Sequence, residues 1–223
     1  MHSGSQIVDW DEHDGIKSVI TDLLTSGLSG YSLEHSDVGS YTAIDNPLLK
    51  YHRSKELLLR WLELGAFTTV FRTHEGNIPE VNHQIYSDSE TLTHFARFAK
   101  IYTVWQPYRI ELVKEVSETG LPVVRHPFIH YPNDPEVPAL NYQYMVGSEL
   151  MVAPVLDPGA DAVKVYLPAG KWLHLWTGKR DDSTQRGLYE TVSAPLGEPG
   201  VFYKEGSKEG TRFSDELERQ RLL

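Results

Sequence analysis

The chain has 223 residues, of which 40% are hydrophobic and 23% charged, and it contains no cysteine. A formal net charge of −10 argues against a nucleic-acid or anionic-membrane partner, and no apolar run reaches the roughly 18 residues of a bilayer span. Without cysteine there are no disulfides or thiolate metal sites, and together with a first segment, MHSGSQ, that does not resemble a signal peptide, this favours a cytoplasmic location.

Helical periodicity dominates the chain up to Gly120. A first helix has Asp14 as candidate N-cap and Gly27 as candidate stop. Its apolar face consists of Ile16, Val19, Ile20, Leu23 and Leu24. A second helix, rich in leucine, is predicted from about Arg53 to Leu64 and should end at Gly65.

A third helix begins in the stretch SDSE, where Ser87 and Glu90 have the spacing of a capping box. Pro107 should kink or break this helix before a last segment that runs through Val116.

Two apolar stretches lie between these helices, GYSLEHSDVGSY and FTTVFRTHEGN. Each is interpreted as a short strand that runs into a polar, glycine-containing loop. This is the pattern of a βα repeat, and in (β/α)8 barrels the carboxyl ends of such strands build the active site. About two repeats are present, and two cannot close a barrel.

After Gly120 the pattern changes to short strands separated by proline and glycine at intervals of roughly ten residues, which is typical of an antiparallel β-sandwich. The predicted fold class is therefore α/β plus all-β. We expect barrel units over residues 1–120, a β-sandwich domain over 121–206, and a charged tail over 207–223 that forms a short exposed helix or frays.

An acidic tract near the start of the chain raises the question of a catalytic carboxylate. It comprises Asp9, Asp11, Glu12 and Asp14. Acidic residues ahead of a helix are favoured by capping and by the helix dipole in any protein. We therefore interpret Asp11, Glu12 and Asp14 as structural.

Two motifs at the predicted strand ends carry the candidate binding residues. In HSDVGSYT, Asp37 suits an Asx-turn as well as ligand binding, and Tyr41 alone would be taken as a packed aromatic. In FRTHEGN, alternation along a strand places Arg72 and His74 on one face, where they could contact a ligand.

Metal binding finds little support in the sequence. The histidines that would be needed do not have the spacing of a zinc site. They are His74, His83, His94, His126 and His130.

Taken together, SDVGSYT, SKELLLRWLELGAFTTVFRTHEGN, ETLTHFARFAK, YMVGSELMVAPVL, VYLPAGKWLHLWTG and APLGEPGVFYKEGS resemble family-31 glycoside hydrolases, and within them the sulfoquinovosidase and α-glucosidase-like branch. The resemblance extends from Gly4 to about Phe213. It implies the last part of a (β/α)8 barrel followed by a β-sandwich, and a retaining α-glycosidase activity. Two carboxylates suffice for that reaction, so no cofactor is implied.

The resemblance also answers the question of the acidic tract. The family's acid/base aspartate lies in a segment similar to G-D-Q-x-V-D-W, which here begins at Gly4 and ends at Trp10. Ser5 occupies the place of the acid, and Asp9 matches a second, non-catalytic aspartate. The nucleophile belongs to earlier barrel strands that this sequence does not contain, so the chain is expected to be an inactive fragment.

The later part of the family's pocket does carry over. Tyr41 matches the tyrosine that reaches toward the sulfonate, Asp37 the aspartate of the same motif, and His74 the histidine that contacts sugar hydroxyls. Arg72 matches the arginine two places before that histidine. Ser40 stands where the family usually has glycine and could crowd the loop that carries Tyr41.

These observations predict a protein that binds a small carbohydrate, an α-glycoside such as a sulfoquinovoside, and that could self-associate through its incomplete barrel. One alternative is a truncated product or pseudoenzyme without catalysis. Another is a carbohydrate-binding β-sandwich in which Trp172 and Trp176 stack on sugars, although core packing suits both tryptophans better.

Overall fold

The computed structural model describes residues 6–183 and 185–223. The helices within these ranges are α1 Ile16–Leu28, α2 Lys55–Gly65, α3 Ser89–Val104, α4 Gln106–Thr119 and α5 Lys208–Arg219. The strands are β1 Ile44–Asp45, β2 Lys50–Tyr51, β3 Val124–Arg125, β4 Tyr144–Val146, β5 Leu150–Ala153, β6 Ala162–Leu167, β7 Lys171–His174, β8 Arg180–Asp182, β9 Leu188–Ser193 and β10 Gly200–Lys204. Short 3₁₀ turns cover Pro79–Val81, Pro127–Ile129 and Val137–Ala139.

The predicted helices are present, and their boundaries differ at the caps. Gly15, not Asp14, is the N-cap of α1, and it provides no side-chain cap. Asp88, not Ser87, caps α3 by accepting a hydrogen bond from the Thr91 N–H. The carboxylate of Asp88 lies at the right distance for this bond, whereas the Ser87 hydroxyl accepts instead from the Gln84 N–H.

The break predicted at Pro107 is also present. The chain leaves α3 at Trp105 and starts α4 with Pro107 in its first turn, where the missing N–H costs no helical hydrogen bond. Helix α4 continues past Val116 and ends at Gly120, whose positive φ of 76° closes the helix.

The two stretches expected as barrel strands, residues 30–41 and 67–77, form no continuous strands in their apolar parts, so the expectation of a strand in each was wrong. They pair through one parallel bridge between Val38 and Thr73. The extended backbone ends at once after Val38, because Gly39 and Ser40 both have positive φ. In the second stretch, a turn in which the Thr68 N–H donates to the Gly65 carbonyl precedes the bridge.

After Gly120 the strands form a sandwich-like arrangement. One antiparallel sheet has the order β3-β4-β5-β10-β7-β8, and β6 pairs with β9 in a second sheet. Side chains alternate along β5: Leu150 and Val152 join the core shared with the helices, and Met151 and Ala153 join the core against β6 and β9. The centre of the long sheet is therefore buried on both faces, as its apolar strands require.

The sheet and the helices share one continuous core. Residues of α1, α2, α3 and α4 belong to the same buried cluster as residues of β4, β5 and β10. Helix α5 also contributes to this cluster through Phe213 and Leu217, and the Phe213 ring meets Phe67 edge-on. The helix formed by residues 208–219 thus packs on the molecule through these two side chains.

A buried ion pair joins α2 to the sandwich. Arg60 and Glu63 are 2% and 1% exposed and lie 2.9 Å apart. The Arg60 guanidinium also donates to the carbonyls of Ala160, Ala194 and Pro195, and the Gly197 N–H donates to Glu63. These bonds fix the position of the 194–197 loop against the helix. Across the described ranges, none of the helices is long and apolar enough to cross a bilayer.

Candidate functional site

Two polar loops lie side by side at the carboxyl ends of the bridged segments. The Val38 N–H donates to the Arg72 carbonyl at 2.8 Å, and Val38 pairs with Thr73 in parallel. Residues 37–41 therefore run next to residues 72–77, and the four residues that the sequence singled out all lie on these two loops.

Asp37 and Arg72 form an ion pair between the loops. The Arg72 Nε lies 3.0 Å from Oδ1 of Asp37, and Nη2 lies 3.5 Å from Oδ2. The Asp37 side chain is 5% exposed, whereas that of Arg72 is 51% exposed. The Asp37 carboxylate is thus buried, and the Arg72 guanidinium forms part of the surface.

Tyr41 and His74 form the second contact between the loops. Their ring centroids are 4.9 Å apart and their planes are nearly perpendicular, at 81°. His74 Nδ1 accepts the Gly76 N–H at 3.0 Å, so a neutral His74 carries its proton on Nε2. Nε2 is then a hydrogen-bond donor that can serve an oxygen of a ligand.

Ser40 adopts the backbone conformation that glycine would favour, with φ of 65°. Its hydroxyl donates to the Gln6 carbonyl, and its N–H donates to the Asp37 carbonyl at 2.9 Å. These bonds hold the serine in the left-handed region, which otherwise costs about 1 kcal/mol. Tyr41 lies against His74 with this serine in place.

A buried arginine that sequence reasoning did not single out lies beneath both loops. Arg53 is 2% exposed and donates hydrogen bonds to main-chain carbonyls of each loop. Because it lies one residue before Ser54, the N-cap of α2, it was interpreted as part of the start of that helix. No local pattern in the sequence separates such an arginine from a solvent-exposed one.

Next to Arg53 and His74 is a cavity of about 210 Å³. Besides these two residues it is lined by Leu58, Thr73, Glu75, Gln84, Ile85 and Tyr86. The Tyr86 hydroxyl donates to the Glu75 carboxylate at 2.6 Å, and this bond raises the pKa of Tyr86. A phenol, a carboxylate and an imidazole at one opening provide polar groups of both hydrogen-bonding types.

The acidic tract forms a turn ahead of α1. Asp11 Oδ1 accepts the N–H groups of His13 and Asp14, and the bond from His13 is the main reason that the pKa of Asp11 is lowered. Asp9 accepts the Trp10 N–H. Ser5, at the expected acid/base position, lies outside the described residues.

The tryptophans of the β-sandwich are not arranged for sugar stacking. Trp172 is completely buried, and its Nε1 donates to the Pro168 carbonyl. Trp176 is partly buried, donates to the Pro199 carbonyl, and has Arg97 over its ring at 5.2 Å. Core packing, which the sequence favoured for both, accounts for these positions. Among residues 6–183 and 185–223 no group of three or more His, Asp or Glu could hold a metal ion.

Comparisons with known proteins agree with the fold. Residues 3–112 match the Glycosyl hydrolases family 31 TIM-barrel domain, and residues 120–207 match the Glycosyl hydrolase family 31 C-terminal domain. The chain belongs to glycoside hydrolase family 31. It contains the end of the family's barrel domain and its C-terminal domain, as the sequence predicted.

The similar proteins include sulfoquinovosidases. The chain is 44% identical to the sulfoquinovosidase of Escherichia coli over 96% of its own length, and 45% identical to that of Agrobacterium fabrum over 94%. A solved structure of a family-31 sulfoquinovosidase from E. rectale, in complex with an aza-sugar inhibitor, covers 98% of the chain with a TM-score of 0.91 and 40% identity.

The chain spans about a third of each of these proteins. It corresponds to 30% of the Escherichia coli enzyme, 31% of the Agrobacterium fabrum enzyme and 32% of the E. rectale chain. The chain shares the family and the fold of these longer proteins.

Proposed function

We propose that this chain carries the sugar-binding loops of a sulfoquinovosidase-like α-glycosidase, and that Asp37, Tyr41, Arg72 and His74 bind the glycoside. The observation that carries the proposal is the pairing of the two loops, with Asp37 on Arg72 and Tyr41 on His74. The four side chains supply donors and acceptors on two adjoining loops, and His74 also lines the cavity beside Arg53, which suits a sugar site.

The sulfonate would be recognised through the Tyr41 phenol. A phenolic O–H donates a hydrogen bond to an anionic oxygen, and such charge-assisted bonds are worth about 1.5–3 kcal/mol. The half-exposed guanidinium of Arg72 adds a positive charge at the same surface. A neutral glucoside would gain neither interaction at its sixth carbon, so these residues favour a sulfoquinovoside.

Hydrolysis itself is not proposed for these residues alone. A retaining glycosidase needs a nucleophile and an acid/base carboxyl about 5–5.5 Å apart. In the described site Asp37 is the buried carboxylate, and it is engaged by Arg72. The sequence has a serine, Ser5, in the expected place of the acid. The chain therefore supports binding, and the catalytic carboxylates would have to come from elsewhere in a longer enzyme.

A titration with sulfoquinovose followed by NMR tests this proposal. We expect the ring resonances of Tyr41 and His74 to shift on binding, and those of Tyr142, whose hydroxyl donates to Glu12 and which belongs to neither loop, to stay constant. Glucose at the same concentrations should produce smaller shifts. Equal shifts at Tyr142 and His74, or none at either, would count against the assignment of the site.

We also propose that the chain self-associates through its barrel part. Large apolar side chains are exposed there, namely Leu28 (52%), Tyr31 (48%), Leu33 (40%), Leu48 (91%) and Leu49 (50%). Light scattering should give a mass above that of the monomer. The double change Leu48→Ser and Leu49→Ser should lower this mass, and Leu196→Ser in the other half should not. A monomer in all three proteins would refute the proposal.

Finally, we propose that the chain is organised as a barrel part over residues 1–120, a sandwich domain over 121–206 and a charged segment over 207–223. The helix end at Gly120 supports the first boundary. In hydrogen exchange, the fully paired amides of β5 and β10 should be protected more strongly than those of residues 31–49, which pair through single bridges and short hairpins. Equal, strong protection in both parts would contradict this organisation.

A further inference from the structure

The Arg53 guanidinium, which is buried in the protein interior, connects the two loops of the candidate site. Nη1 donates to the Gly39 carbonyl at 3.1 Å and to the Ser40 carbonyl at 3.2 Å on one loop, and to the His74 carbonyl at 2.8 Å on the other. These acceptors are the main-chain neighbours of Tyr41 and the main chain of His74 itself. One nitrogen therefore touches both loops.

The other two guanidinium nitrogens of Arg53, Nε and Nη2, donate hydrogen bonds to His83 and Gln84. Nε donates to the His83 carbonyl at 2.8 Å, and Nη2 donates to Gln84 Oε1 at 2.7 Å. Gln84 Nε2 in turn donates to the carbonyls of Glu75 and Pro79. The Arg53 N–H is held by Asn82 Oδ1, so the main chain of the arginine is fixed as well.

We propose that Arg53 is the positioning residue of this site: through its guanidinium it fixes the Tyr41 loop relative to the His74 loop. The consequence for sugar binding rests on the proposed function, whereas the positioning itself does not. A guanidinium suits this role because it offers five N–H donors in a rigid plane, and here they reach carbonyls of both loops and the Gln84 amide at once.

The backbone of the Tyr41 loop is shaped to admit this side chain. Gly39 has φ of 83°, and a Cβ at this position would lie 2.7 Å from Arg53 Cδ and 2.9 Å from its Nη1. The glycine therefore allows the main chain to approach the guanidinium closely enough to accept its hydrogen bond. The close contact between Gly39 and Arg53 therefore depends on the absence of a side chain at position 39.

The charge of Arg53 persists in this buried position. Burial lowers the pKa of its guanidinium to about 10, which leaves it protonated at neutral pH. The hydrogen-bond partners of the guanidinium are main-chain carbonyl oxygens and the Gln84 amide oxygen, whose dipoles replace the lost hydration. Removing the guanidinium would leave carbonyls of both loops without a donor, and the loops would be free to separate.

The test compares Arg53→Met and Arg53→Lys with the wild-type chain and with Arg109→Met. Arg109 is a suitable control because it is partly buried, has its guanidinium over the Tyr102 ring, and lies on α4. The readouts are the nuclear Overhauser effect between the Tyr41 and His74 ring protons and the chemical shift of the Gly76 amide, which donates to His74. Thermal unfolding reports the fold of each variant.

In Arg53→Met we expect the ring contact to disappear and the Gly76 amide to shift, while Arg109→Met changes neither. Arg53→Lys should keep the fold because it keeps the cation, but its three donors on one nitrogen cannot reproduce the fork, so the ring contact should again be lost. A ring contact that persists in a folded Arg53→Met or Arg53→Lys variant would overturn the proposal. If Arg53→Met does not fold, the presence or absence of the ring contact in Arg53→Lys decides the proposal.

The same variants separate this inference from the proposed function. If wild-type chain binds sulfoquinovose, Arg53→Lys should weaken that binding by about tenfold or more, because both sugar-contacting rings are displaced. If the wild-type chain shows the ring contact but binds no sugar, the proposed function fails. The positioning role of Arg53 is then decided by the ring contact in the Arg53 variants alone. If the sugar binds Arg53→Lys as tightly as wild type, the positioning role has no consequence for the ligand and that part is refuted.

Discussion

Nε of Arg72 lies 3.0 Å from Oδ1 of Asp37, and this ion pair joins a buried carboxylate to a half-exposed guanidinium across two separate loops. The asymmetry of exposure determines what each residue can do. Asp37 is held within the protein, and Arg72 presents donors both to Asp37 and to the surface.

The Asp37→Asn substitution should therefore affect stability as well as ligand binding. It removes the charge that orients Arg72, and we expect the free energy of unfolding to fall by about 1–3 kcal/mol in urea denaturation. As a control, Glu216→Gln removes a pair with Arg219 on the surface of α5 and should leave stability unchanged within error. An equal effect of both substitutions would mean that a pair with one buried partner contributes no more to stability than a fully exposed pair.

Ser40→Gly should be nearly neutral. Glycine would relieve the left-handed strain of about 1 kcal/mol, but it would also lose the hydroxyl bond to the Gln6 carbonyl, worth about 1 kcal/mol. We expect an unfolding free energy within about 1 kcal/mol of wild type and an unchanged ring contact between Tyr41 and His74. Loss of that contact on adding glycine would show that the serine positions Tyr41. A gain of the contact's intensity would show that it crowds the loop.

His94 should make stability depend on pH. Its Nε2 donates to the Leu59 carbonyl at 3.2 Å and lies 3.5 Å from Glu63, and burial lowers its pKa to about 4. The folded state thus resists protonation while the unfolded state, with a pKa near 6.5, accepts it. Stability from this residue is present above about pH 6.5 and is lost as pH falls toward 4, by about 2 kcal/mol at pH 5.

Glu63 acts in the opposite direction and must be separated from His94. Burial raises the pKa of Glu63 to about 7, so its effect weakens the fold as pH rises from about 4.5 to 7. The measurement is therefore the difference in unfolding free energy between wild type and His94→Gln from pH 7 to pH 5. This difference should shrink by about 2 kcal/mol, whereas the difference for the exposed control His13→Gln should stay constant. A constant difference for His94→Gln would contradict the assignment.

How much of this molecule could be read from its sequence depends on the range of the interactions involved. Helix α2 and the break at Pro107 follow from local apolar spacing and from the missing proline N–H, and both were predicted. The choice between Ser87 and Asp88 as cap was missed, because adjacent polar residues offer the same local signal. The strands near residues 33 and 70 were predicted wrongly, because turns at Gly39 and Thr68 interrupt the extended backbone.

The candidate site shows the same limit. Asp37, Tyr41, Arg72 and His74 were selected as candidates because their motifs resemble those of a known family. Arg53 was missed because its function depends on carbonyls 13 to 31 residues away along the chain, which no local pattern encodes. The carbonyls that Arg53 contacts come close to it only when the whole chain has folded.

The chain should not hydrolyse aryl α-sulfoquinovosides or α-glucosides above background. Ser5→Asp should not restore activity, because the nucleophile would still be missing. In a longer chain that supplies the preceding barrel strands, the same substitution should raise the rate by about 10²–10⁴-fold, the usual worth of general acid–base catalysis. The assay is release of the aryl alcohol by purified protein, with mock-purified host extract as control. Turnover by the 223-residue chain that survives removal of host glycosidases would overturn the expectation of an inactive chain.

The most direct test of the central claim, that the two loops bind a sulfonated sugar, is the change in affinity for sulfoquinovose and for glucose on Tyr41→Phe. Phenylalanine keeps the ring contact with His74 and removes only the hydroxyl. We predict that binding of sulfoquinovose weakens by about tenfold or more in an NMR titration, as expected for loss of a bond to a charged group, while binding of glucose changes by less than about twofold. Equal changes for the two sugars, or no change for sulfoquinovose, would contradict the claim.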